Sequence, residues 1–177
     1  MRKVLYMLGQ LSDEDVEWLA CHGRRQTIPK GQVLVAQGMS IAYLYFILDG
    51  RFSVSAKGVG QLAVVACGEI IGEISLIDAR PPAASVTALE ESAVLAIECE
   101  ELQKKLLSDI YFAAHFYRAV ATFLAERMRS TVQRMGYGER LDFNAGQEDV
   151  GELDASVLDN VHLAGARFDR ILKRFQA

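Results

Sequence analysis

Cysteine, histidine and long apolar runs are all scarce in this sequence, and each scarcity removes a class of protein. The three cysteines, Cys21, Cys67 and Cys99, are odd in number and far apart. They fit neither a disulfide framework nor a zinc-binding spacing, and they read as buried, reduced thiols of a cytoplasmic protein. The three histidines, His22, His115 and His162, fall on a helix end, a helix and a tail. No predicted strand carries a histidine pair, so a metal centre on a β scaffold is not expected. The most apolar segment, residues 110–135, is interrupted by His115 and Arg118. It falls short of the ~20 apolar residues that a membrane span requires. The first ten residues, MRKVLYMLGQ, hold no apolar run long enough for a secretion signal before polar Ser12. Basic charge is not in excess either: 19 Lys and Arg stand against 23 Asp and Glu, a net of −4. That balance argues against a general nucleic-acid binder. The carboxylates Glu69 and Glu73 lie close in sequence, but no nucleophile or base accompanies them, and acid–base catalysis is not indicated. Glu69 is expected to be solvated in a loop.

What is present suits one ordinary domain with an appendage, since 177 residues at 51% hydrophobic content can bury a core. Ser12-Asp13-Glu14-Asp15 reads as a helix start with a capping hydroxyl and acids in the first turn, and Val16, Leu19 and Ala20 form its inner side. Gly23 ends it. From Arg24 to Ile97 short β-prone runs alternate with Gly and Pro, the pattern of an antiparallel barrel or sandwich. Strands are predicted near 26–28, 33–36, 43–48, 52–56, 62–66, 85–89 and 93–97. Pro29-Lys30-Gly31 and Asp49-Gly50 are turns, the second a strong hairpin signal. Residues 98–108 form a short charged helix, and Asp109 caps a long helix from Ile110 to Met135. Ile110, Tyr117, Leu124 and Thr131 make one row along that helix, and Ala114, Ala121, Met128 and Met135 a second. Phe112, Phe116 and Phe123 widen the face beyond what one barrel covers, so two packing partners are implied. Residues 136–155 form an acidic linker. In residues 156–177 the spacing of Val157, Val161, Ala164, Phe168, Ile171 and Phe175 predicts an amphipathic helix with a basic end. It either folds back on the body or docks a protein partner.

The chemistry concentrates in Ile71 to Ala88, IGEISLIDARPPAASVTA. Gly72 permits a sharp turn, and a short helical turn at Glu73 to Ile77 follows, whose first N–H groups lack partners and favour an anion. Ile74, Leu76 and Ile77 are expected to form its apolar underside, and Glu73 can accept from a sugar hydroxyl. Pro81 and Pro82 stiffen the loop. Ala83 and Ala84 are small enough for a phosphate to reach the main chain, and a strand resumes at Ser85.

Gly72-Glu73-Ile74-Ser75-Leu76, the loop, and Ala84-Ser85-Val86 together resemble the cyclic nucleotide-binding domain of bacterial catabolite activators and protein kinase A regulatory subunits. The resemblance runs from about Leu11 to Arg134. It implies an α+β, mainly β fold: an antiparallel β jelly roll with a short N-terminal helix, a phosphate-binding-cassette helix and a long C-terminal dimerisation helix, over residues 1–135. It implies a non-enzymatic sensor for cyclic AMP or cyclic GMP, without metal, working as a homodimer through Ile110 to Met135. The site would comprise Gly72, Glu73, Ile74, Ser75, Arg80, Pro82, Ala83, Ala84 and Ser85. Glu73 would hold the ribose 2′-hydroxyl, and N–H groups near Glu73, Ile74 and Ala83 the cyclic phosphate. The family's phosphate-neutralising Arg falls on Pro82 here, with Arg80 two residues earlier. Loss of such a contact, worth about 1.5–3 kcal/mol, weakens binding roughly tenfold to a few hundredfold. It also leaves Glu73 without its expected counter-charge. The forty-two residues after Met135 leave no room for a winged helix-turn-helix. The alternative is a degenerate module that keeps fold and dimer as a protein-interaction subunit without nucleotide.

Overall fold

The computed structural model describes residues 7–134 and 155–174, so the expected acidic linker lies outside the described residues but for Ala155. Helix α1 (Asp13–His22) starts on a reciprocal cap. The Ser12 N–H donates to Asp15 Oδ2 at 2.7 Å, and the Asp15 N–H donates to Ser12 Oγ at 3.1 Å. Asp15 also meets His115 Nδ1 at 2.8 Å, which ties α1 to the long helix. Gly23 closes α1 where any side chain would collide, since an added Cβ would lie 2.5 Å from Leu95 Cδ1.

Eight strands follow: β1 (Arg24–Ile28), β2 (Val33–Val35), β3 (Tyr43–Asp49), β4 (Arg51–Ala56), β5 (Gly60–Ala66), β6 (Ile70–Ile71), β7 (Ser85–Ala88) and β8 (Ser92–Glu98). They form two four-stranded antiparallel sheets, ordered β1-β8-β3-β6 and β2-β7-β4-β5. Helix α2 (Glu73–Asp78) interrupts the chain between β6 and β7, and α3 (Cys99–Ser108), α4 (Ile110–Arg134) and α5 (Ala155–Arg174) complete it. This is the expected jelly roll with its cassette helix and long C-terminal helix. Two-residue β6 has no forecast in the sequence, because a strand that short shows no alternation.

Continuous apolar runs in β3 and β8 mark strands covered on both faces. Tyr45, Ile47, Val94 and Ala96 face the second sheet and pack on Phe52, Val65 and Val86. Leu44, Phe46, Leu48, Leu95 and Ile97 face the helices and pack with Leu19, Leu102, Phe112, Phe116 and Ile171. The helical layer is therefore part of the fold's core. Asp109 starts α4, accepting from the N–H groups of Tyr111 and Phe112 at 3.1 and 3.0 Å.

Helix α5 lies against α1. Ala164 and Ile171 are fully buried, with Phe168 and Leu172 beside them. Arg167 Nε reaches Asp13 Oδ1 at 2.7 Å, Arg170 Nη2 approaches Asp13 Oδ2 at 3.6 Å, and Arg174 pairs with Glu17. Two sequence-based expectations need correction. Glu69 is buried, and its Oε2 accepts the Ala66 N–H at 2.8 Å, because the turn into β6 needs an acceptor for that group. Cys21 is exposed, since it sits on the solvent side of α1, whereas Cys67 and Cys99 are half-buried.

Candidate functional site

The site is built where β6 hands the chain to α2. Gly72 adopts a φ of 101°, and an added Cβ would lie 2.8 Å from Ile41 Cδ1 and 3.1 Å from the Tyr43 carbonyl. Only glycine satisfies both the left-handed backbone and the close approach. Helix α2 starts from it and ends at Ala79, itself left-handed at φ 55°, whose N–H donates to the Ser75 carbonyl at 3.1 Å. Asp78 Oδ1 then accepts the Arg80 N–H at 3.0 Å. The loop beyond is pinned by the Gly38 N–H donating to the Pro82 carbonyl at 2.9 Å. The Gln37 N–H donates to Ser85 Oγ at 3.0 Å.

Between this loop and the roll lies a cavity of about 310 Å³, within the size range of small-molecule sites. Its walls are largely apolar: Val35 and Val54 from one sheet, Ile70 and Ile71 from the other, and Pro81 to Ala84 from the loop. Of the residues singled out from the sequence, Gly72, Glu73, Ile74, Ser75, Arg80, Pro82, Ala83 and Ala84 line it, and Ser85 does not. Within α2 only Leu76 packs on the core; Ile74 and Ile77 are exposed. The expected three-residue apolar underside is thus one residue, because a six-residue helix presents little more than one turn to its support.

Glu73 is 2% exposed, and a carboxylate so buried requires a partner. That partner is Arg127 on α4. Its Nη1 lies 2.5 Å from Glu73 Oε1, its Nη2 donates to the Ile70 carbonyl at 3.2 Å, and its guanidinium sits 4.5 Å from the Phe123 ring centre. Burial pushes the Glu73 carboxyl above its ordinary range, while Arg127 and the N–H groups of Glu73 and Gly72 pull it down. With a guanidinium at 2.5 Å, the pair is read as ionised. The expectation that Glu73 lacks a counter-charge is therefore corrected: the charge comes from the long helix, 54 residues away in sequence. A signal existed. Phe112, Phe116, Ala119, Val120 and Phe123 form the buried stripe of α4, and Arg127 continues it at helical spacing. A cation on an apolar stripe marks a buried carboxylate near by. Arg80 lines the cavity but is exposed, and its guanidinium pairs with no described residue.

Two antiparallel sheets and a cassette helix, with a carboxylate at its first residue facing a small cavity, define a β roll with a candidate ligand site. Residues 25–109 match the family model for the cyclic nucleotide-binding domain. It is 29% identical over 123 residues to the cyclic AMP receptor protein of Thermus thermophilus, covering 67% of this chain and 55% of that one. It is 30% identical over 95 residues to the cAMP-dependent protein kinase regulatory subunit of Debaryomyces hansenii, covering 54% of this chain and 21% of the relative. The chain thus spans about half of the first relative and a fifth of the second. Among solved structures, a cyclic nucleotide-binding domain from Methylobacillus flagellatus shares the fold with a TM-score of 0.68 at 24% identity, covering 82% of this chain and 85% of that one. The N-terminal domain of a transcriptional regulator from Streptomyces coelicolor gives a TM-score of 0.59 at 29% identity, covering 83% and 100%. Among the described residues no helix is long and apolar enough to cross a membrane, and no cluster suited to a metal ion occurs.

Proposed function

We propose that this chain is a non-enzymatic sensor module that takes cyclic AMP or cyclic GMP weakly and works as a homodimer through α4 in the cytoplasm. The observation that carries the reading is the cavity itself, in which Glu73 is buried beside a loop whose small residues admit a ligand. Weakness follows from the loop's composition. Pro82 stands where the resemblance calls for a phosphate-binding Arg, and exposed Arg80 is, among the described residues, the one cation on that side of the cavity. Dimerisation is supported by the outer face of α4, where Ile110, Ala114, Tyr117, Ala121, Met128 and Val132 are exposed. Spacings of four, three and seven along this row suit a coiled-coil seam. Nucleic acid is not expected as a partner, and Arg167 and Arg174 of α5 are engaged with Asp13 and Glu17 within the chain.

Calorimetric titration with cyclic AMP and cyclic GMP tests the reading, and binding weaker than micromolar is the expected result. A second reading, a dimeric interaction subunit without nucleotide and with α5 as a protein-docking element, is favoured by one observation. Glu73 already has Arg127 as its partner and needs no ligand to satisfy it. Absence of binding at millimolar nucleotide by a folded, dimeric protein would select that reading.

A further inference from the structure

The charges that line the cavity cancel, and this bears on what kind of ligand the proposed site takes. Among the described residues, four ionisable side chains reach it: Glu73, Asp78, Arg80 and Arg127. Arg127 is engaged with Glu73 at 2.5 Å, and the Glu73 side chain is 3% exposed. Releasing Arg127 to an incoming anion would leave a carboxylate buried without a partner, which opposes the exchange. Asp78 and Arg80 lie two residues apart in the cassette and carry opposite signs. Both are exposed, so water and salt screen whatever Arg80 offers. Pro81 and Pro82 bring no N–H group to the cavity, and Ala83 and Ala84 bring only main-chain donors. An anionic phosphate would therefore shed water without gaining a committed cation.

A hydroxyl meets different terms. A carboxylate accepts about four hydrogen bonds, and Arg127 engages Glu73 through Oε1. The acceptor capacity left on that carboxylate suits a neutral O–H donor. The valine and isoleucine walls suit a nonpolar or aromatic body. We infer that this cavity prefers an uncharged nucleoside, its sugar hydroxyl donating to Glu73, over the cyclic nucleotide with the same base. The inference rests on the reading of the cavity as a nucleotide-type site.

The test is calorimetry on the full chain with adenosine and cyclic AMP, repeated with guanosine and cyclic GMP. The wild-type protein should bind the nucleoside at least about tenfold tighter than its cyclic phosphate, the scale of one charge-assisted contact. Pro82→Arg should reverse that order, and Ala84→Phe, which fills the cavity, should remove nucleoside binding. Cyclic nucleotide binding as tight as or tighter than nucleoside binding in the wild type would overturn the inference while leaving the site reading intact. Nucleoside binding that survives Ala84→Phe would place it elsewhere and overturn the inference too. Failure of both ligands to bind folded protein would overturn the site reading and the inference with it.

Discussion

Glu73 and Pro82 pull the cassette in opposite directions. The first keeps a polar anchor in the cavity, and the second denies it a local cation. Arg127 resolves the electrostatics of Glu73 from another element, so the two positions can be separated by mutation. Arg127→Met removes the partner but keeps much of the stem packed on Phe123, and it should cost roughly 3 kcal/mol in urea denaturation. That is the low end for breaking a buried pair, because the Arg127 side chain is 30% exposed. Unchanged stability would mean that water replaces the guanidinium at no cost. Pro82→Arg should instead leave stability nearly unaltered and tighten cyclic AMP binding by roughly tenfold or more, measured by calorimetry. Arg80→Ala isolates the remaining cation: if binding barely changes, Arg80 is a bystander, and if binding vanishes, Arg80 has taken over the phosphate.

At the level of elements, α5 is held to α1 by apolar burial and by a small ionic cluster. Ile171→Ala should cost about 2–5 kcal/mol, the usual range for a large side chain cut back in a core, and hydrogen exchange should report loss of protection in α5. The ionic cluster gives a pH dependence. The hydrogen bond from Arg167 holds the Asp13 carboxyl below its ordinary range. A carboxyl depressed in the folded state adds stability at pH values above its unfolded value of about 3.9. That contribution is lost as pH falls through the lower folded value. Protease cleavage of α5 should therefore rise below about pH 4, and Asp13→Asn should remove this component of the acid response. The effect should be modest and salt-sensitive, because Asp13 is largely exposed.

For the whole molecule, the outer row of α4 sets the expected assembly. Leu124 packs partly on the helical core, so a charge placed there would confuse unfolding with dissociation. Ala121 and Met128 are exposed and make the cleaner test. Ala121→Glu with Met128→Glu should convert a dimer to a folded monomer in sedimentation velocity at micromolar concentration. A wild-type chain that sediments as a monomer would remove the basis for the proposed dimer.

Local rules carried much of this protein from sequence alone. Ser12 and Asp15 announce α1, Asp109 announces α4, Asp49-Gly50 places the β3–β4 hairpin, and Gly72-Glu73 with the two prolines marks the cassette. Each of these depends on neighbours within a few residues, where backbone sterics and capping act. Tertiary structure alone decided the partner of Glu73, the burial of Glu69, the exposure of Ile74 and Ile77, and the docking of α5 on Asp13 and Glu17. Those outcomes depend on which groups remote in the chain share a low-dielectric space. Desolvation penalises a buried charge wherever it lies in the sequence, but only the fold determines that the cation answering Glu73 comes from residue 127 rather than from residue 82.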